Sequence, residues 1–148
     1  MTLKEKINAD LLAAMKAKET VKLNALRMLK AAVMKFEVSG DKKIDANDEN
    51  VLQIINKEVK QRKDSIDAYS KGGREELAAQ EEVEMKILQT YLPEQMNEDD
   101  LKTLISQTIS QTGATVKDFG KVMGAVMAQV KGKADGQTVT RLVKEMLK

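Results

Sequence analysis

Cysteine and histidine are both absent from this chain. That removes disulfides, thiolate nucleophiles, Cys/His zinc sites, imidazole bases and every Ser-His-Asp or Cys-His arrangement. Chemistry would have to come from carboxylates, Lys, Tyr and Ser/Thr. Tryptophan is also absent, aromatics make up 3%, and Pro93 is the single proline. A core must therefore be built from Leu, Ile, Val, Met and Ala. No stretch approaches the roughly 18 apolar residues of a membrane span, so no membrane partner is expected. The N-terminus, "MTLKEKINADLLAAMKAKE", is charged throughout and has no apolar core of a secretory leader. We therefore expect a cytoplasmic protein.

What is abundant is the set of good helix formers, Ala, Leu, Lys, Glu, Met and Gln. With 148 residues, 42% hydrophobic and 32% charged, the chain reads as a soluble all-α protein. Thr2 and Glu5 form a capping box, and Leu3, Ile7, Leu11 and Met15 follow at four-residue steps to about Lys18. Thr20 is placed to cap a second helix. Its stripe of Leu23, Leu26, Leu29, Val33 and Phe36 is widened by Val21, Ala25, Met28 and Ala32, the pattern of a central helix. Asp48 is placed to cap a third helix over 49–70. A fourth, over 74–91, carries Leu77, Val83, Ile87, Leu88 and Tyr91.

Pro93 disfavours helix in the residue before it and marks a boundary. We divide the chain into an N-terminal four-helix subdomain, 1–92, and a C-terminal three-helix subdomain, 93–148. Asn97 followed by acids opens the fifth helix. Thr115 with Asp118 caps the sixth, and the seventh carries Val139, Leu142, Val143 and Met146.

Net charge is only +2, yet residues 115–148 hold 7 basic and 3 acidic groups while residues 44–92 hold 7 and 11. The basic segment contains "VKGKADGQTV", residues 130–139. Such a turn suits a phosphate cradle or a plain helix joint. Apolar periodicity on both sides favours the joint, with the sixth helix ending at Gly132 and the seventh starting after Gly136; both glycines are available for positive φ. Lys131 and Lys133 also suit the negative end of a helix dipole. Upstream, Gly120, Gly124 and Ala128 form a stripe of small residues flanked by Lys117 and Lys121. It serves either close helix packing or the approach of an external backbone such as nucleic acid. No G-x-x-x-x-G-K-[ST] occurs, so a nucleotide-binding loop is unsupported.

Among the carboxylates, Glu81 and Glu84 share a face of the fourth helix, within a run that reads as solvated. Arg62 projects on the apolar side of the third helix and is placed to pair with a glutamate of the fourth. No serine lies in a G-x-S-x-G or S-x-x-K motif. We assign no catalytic residue, and expect no metal and no cofactor.

The run "QRKDSIDAYSKGGREELAAQEEVEMKILQTYLPEQM", residues 61–96, carries R-x-D-S, G-x-R, E-x-x-E and Y-L-P-x-Q elements. It resembles the signature of YqeY proteins, as does "LNALRMLKAA", residues 23–32. Residues 116–147 are similar to the tail domain of GatB, the tRNA-handling subunit of glutamine-dependent tRNA amidotransferases. The resemblance implies an all-helical fold with a larger N-terminal part and a three-helix C-terminal part. It also implies tRNA contact through the tail, with basic positions at Lys117, Lys121, Lys131, Lys133 and Arg141. Gly124 joins them from the small-residue stripe. The amidotransferase chemistry of that system resides in GatA and the GatB body, neither of which is present.

Three functions follow as expectations. The first is an accessory protein binding tRNA or other structured RNA by backbone and shape. Of the 25 basic residues 21 are Lys, which act as point charges on phosphates, and base stacking is poorly provided for. The second is a helical protein-interaction module of the translation machinery. The third, carbon–nitrogen ligase activity with glutamine as amido donor, rests on family similarity alone.

Overall fold

The computed structural model describes residues 1–147. Among them there are seven α-helices and no strand: α1 (Leu3–Lys16), α2 (Thr20–Glu37), α3 (Asp48–Lys71), α4 (Glu75–Gln89), α5 (Glu98–Thr112), α6 (Phe119–Val130) and α7 (Gly136–Met146). A 3₁₀ turn, Val116–Asp118, precedes α6. The chain divides into two compact units, Met1–Leu92 and Pro93–Lys148.

In the first unit the Thr2/Glu5 box starts α1. Two expected caps differ. Thr20 is the first residue of α2, and Glu19 before it makes no side-chain cap bond. Asn47 rather than Asp48 caps α3, in a reciprocal pair with Asn50. Asn serves that position as well as Asp does. Asp48 is used elsewhere: its carboxylate accepts from the Leu3 amide at 2.9 Å, joining the starts of α1 and α3. Ile7, Leu26, Leu29, Val33, Val51, Ile55, Val59 and Leu88 pack into one core. Each such side chain, fully buried, contributes roughly 1.5–3 kcal/mol of transfer free energy.

The width of the α2 stripe is misleading. Leu26 and Leu29 are buried, but Val21 and Met28 are 48% and 53% exposed. Helix α2 therefore has one covered side, not two. Val83 of α4, expected inside, is also exposed. Glu37, the last residue of α2, is buried instead. It accepts from the Ala46 amide at 2.8 Å and from Lys4 Nζ at 2.6 Å, which holds the α2–α3 loop against α1.

In the second unit Asn97 caps α5 by accepting from the Asp100 amide at 2.8 Å. Helix α5 stops at Gly113, which adopts φ +64°, a conformation that costs glycine little. Thr115 and Asp118 cap the 3₁₀ turn rather than α6 directly. Leu101, Ile105, Val122, Val126, Val130, Val139, Leu142 and Val143 form the core. Helix α6 ends at Val130, two residues before the expected Gly132. Gly136 needs no special backbone conformation; it is simply the first residue of α7. The left-handed positions are Lys131, with φ +45°, and Gly132, with φ +83°.

Candidate functional site

The basic turn between α6 and α7 is held from inside. The Lys131 amide donates to the Met127 carbonyl, and the Lys133 amide donates to the Val130 carbonyl at 2.9 Å. At the start of α7, Asp135 accepts from both the amide and the hydroxyl of Thr138 at 3.1 Å. A phosphate cradle needs amides free to point at the anion. These amides already have partners, and an aspartate occupies the end of α7 where an anion would sit. The turn is a joint.

The joint is fastened from the segment following Pro93. The Met96 amide donates to the Lys133 carbonyl at 2.8 Å. Gln95 Nε2 donates to the Gly132 carbonyl at 3.0 Å and to the Pro93 carbonyl at 2.8 Å. The backbone of the turn is thus turned inward. The side chains of Lys131 and Lys133 are exposed, and no acid among the described residues lies within ion-pair range of either.

Lys117 lies in the 3₁₀ turn and Lys121 in the first turn of α6; both are exposed. At about 1.5 Å of rise per residue, Lys121 and Lys131 are separated by roughly 15 Å along the helix. The four lysines form two pairs, one at each end of α6. Gly120, within the first pair, and Gly124 and Ala128, between the two, face solvent. A Cβ added at Gly120 or Gly124 would meet nothing within 4 Å. The small residues therefore do not serve close helix packing; α6 packs through Val122, Val126 and Val130 instead.

Arg141 does not join this set freely. Its guanidinium pairs with Glu98 of α5 and, at 3.3 Å, with Glu145 one turn on. The hydrogen bond from Arg141 holds the Glu98 carboxyl below its ordinary range, and Glu98 in turn raises Arg141. Lys144 Nζ lies 5.9 Å from the centre of the Phe119 ring, at the α6 end that carries Lys117. Phe119 is half-buried at the margin of the core.

In the first unit, Arg62 of α3 is 4% exposed. Nη1 donates to the Glu58 carboxylate at 3.0 Å, and Nε lies 3.6 Å from the Glu84 carboxylate of α4. Nη2 meets Met28 Sδ of α2 at 3.9 Å. The expected tie between the third and fourth helices is present. It also changes the reading of Glu84, which turns inward to Arg62 rather than lying with Glu81 on a solvated face. Among the described residues no group of three or more carboxylates is placed to hold a metal ion. None of their helices is long and apolar enough to cross a membrane.

A family model described as Yqey-like protein matches residues 4–147. Fungal relatives share most of the chain's length. "Altered inheritance of mitochondria protein 41, mitochondrial" of Pyrenophora tritici-repentis is 28% identical over 145 residues, covering 96% of this chain and 79% of the relative. The protein of the same name in Vanderwaltozyma polyspora is 34% identical over 138 residues, covering 91% and 70%. That of Saccharomyces cerevisiae strain YJM789 is 27% identical over 126 residues, covering 81% and 68%. The names of these relatives place them in mitochondria, which overturns the cytoplasmic expectation. That expectation rested on the lack of a long apolar run, which bears on secretion and membrane insertion and does not separate cytoplasm from organelle.

Proposed function

The chain belongs to the YqeY family, and from that premise we propose that it is an accessory RNA-binding protein, contacting tRNA or other structured RNA through its C-terminal unit. The observation that carries this reading is the outward presentation of Lys117, Lys121, Lys131 and Lys133 on either side of an open, small-residue face. Unpaired lysines bind phosphates as point charges, and Gly120, Gly124 and Ala128 let a sugar–phosphate backbone approach closely. Arg141 contributes less, because Glu98 and Glu145 neutralise it. Lys144 takes its place. Half-buried Phe119 offers no free ring for stacking, so the interface reads shape and charge rather than base identity.

Binding of this kind is weak and sensitive to salt. The test measures tRNA affinity across a salt series for the native chain and for Lys131→Ala combined with Lys133→Ala. Loss of two phosphate contacts should lower the slope of log K against log salt by about 1.4 to 1.8. An unchanged affinity and slope would refute the reading.

A further inference from the structure

Helix α2 carries a broad apolar stripe, yet its own unit covers only part of it. Ala25, Leu26, Leu29 and Val33 are at most 5% exposed. Outside that buried stripe Val21, Met28, Met34 and Val38 are 48%, 53%, 56% and 61% exposed. At 100° per residue Val21, Met28, Ala31 and Met34, with Val38 just past the helix end, spread over an outward arc of about 140° that also carries Asn24, Arg27 and Lys35. Of the ten large apolar side chains left exposed among the described residues, eight lie before Asp45.

The charge on this face has one sign. Arg27, Lys30 and Lys35 are exposed along it or at its edge. The only acid within α2 is Glu37, which is buried and paired with Lys4. We propose that the outward face of α2 is a docking surface for an acidic amphipathic helix of another protein. Val21, Met28, Met34 and Val38 would meet its apolar stripe. Arg27, Lys30 and Lys35 would meet glutamates or aspartates flanking that stripe. Methionine adapts its shape to irregular partners, which suits such a surface. Met28 is supported from beneath by the Arg62 guanidinium at 3.9 Å.

Other occupants fit less well. A second copy packing α2 against α2 would bring like charges together, with no acid on the face to offset them. RNA has no use for four large aliphatic side chains without an aromatic. A lipid surface favours Trp, Phe and Leu on the inserted face, and none is exposed here.

The experiment titrates the full chain with two designed helical peptides that share one apolar face. One carries Glu on its polar face and the other Lys. We expect shift changes at Val21, Met28 and Met34 by NMR, and affinity for the Glu peptide about tenfold or more above its Lys twin. Met34→Lys with Val38→Lys should weaken binding about tenfold with the melting temperature unchanged. If that pair lowers the melting temperature, Val21→Lys is read instead. Arg27→Glu with Lys35→Glu should reverse the peptide preference. Lys131→Ala with Lys133→Ala should leave peptide binding intact, which separates this proposal from the RNA reading. Equal binding of both peptides, or of neither, would overturn it. So would α2 signals that respond only to phosphatidylserine vesicles, only to RNA, or to protein concentration alone.

Discussion

Arg62 on α3 and Glu84 on α4 face each other across 3.6 Å, in a setting where Arg62 is nearly sealed from water. The Arg62 Nε makes no hydrogen bond, so the attraction there is an ion pair without a good donor geometry. Removing one partner of a buried pair is worse than removing both, because the survivor is left as an uncompensated charge. Arg62→Ala should therefore cost about 3 kcal/mol of stability. Arg62→Met combined with Glu84→Leu should cost clearly less than the two single changes added together. Urea unfolding of the four proteins measures the difference, and additive losses would remove the coupling.

The contact of Lys4 with Glu37 and Asp45 sets a pH window. Hydrogen bonding to Lys4, helped by the Ala46 amide, holds Glu37 below its ordinary value of 4.5. Lys4 likewise lowers Asp45, and Asp45 followed by Glu37 raises Lys4 above 10.5. A lowered carboxylate stabilises the fold above its ordinary value and loses that contribution as pH falls through the lower folded value. A raised lysine loses its contribution as pH rises past 10.5 and through the higher folded value. The α2–α3 loop should thus be held between mildly acidic pH and about pH 10. Hydrogen exchange at the Ala46 amide should accelerate below about pH 4, relative to the intrinsic rate. Glu37→Gln keeps an acceptor for that amide but removes the acid dependence. A flat protection profile down to pH 3 would contradict this.

Tyr91 closes the first unit by donating to Asp10 at 2.6 Å. Burial first, and then Asp10, raise the phenol above its ordinary value of 10.0. The folded state therefore retains a proton that the unfolded chain releases, and stability falls as pH rises beyond about 10. Tyr91→Phe should lower stability by about 1–2 kcal/mol at pH 7, because Asp10 loses its donor. The gap between the two proteins should narrow at pH 10.5. A gap that stays constant from pH 7 to 10.5 would mean that the phenol is not the titrating group.

The local devices of this fold were legible in the sequence. Thr2 with Glu5, Asn97, and Thr115 with Asp118 each act within four residues, and spacing alone reveals them. The seven-helix, all-α class followed from the periodicities. What spacing could not show were relations between distant residues. Glu98 neutralises Arg141 from 43 positions away, and Gln95 reaches Gly132 across 37. The breadth of the α2 stripe is a different case. Apolarity reports what a helix can bury, not what its own chain provides to bury it, so Val21 and Met28 read as interior and stand in solvent. At the candidate site the lysines were visible as charge. Their division into two outward pairs depends on where α6 stops.

That stopping point leads to the last prediction. Lys131 ends α6 in the left-handed region, φ +45° and ψ +53°, where a Cβ costs roughly 1–2 kcal/mol and glycine does not incur it. Lys18, after α1, is held the same way with φ +58°. Gly would suit either position better on conformational grounds. Lys131→Gly should raise stability by about 0.5–1 kcal/mol, offset in part by the freer unfolded chain. Lys18→Gly should do the same. On the RNA reading the two variants part company. Lys131→Gly should weaken tRNA binding and lower the salt slope by about 0.7–0.9, whereas Lys18→Gly should leave both unchanged. Melting temperature and a tRNA salt titration on the two variants measure both effects. A Lys131→Gly protein that is more stable and binds tRNA as before would mean that the strain at Lys131 serves the joint alone.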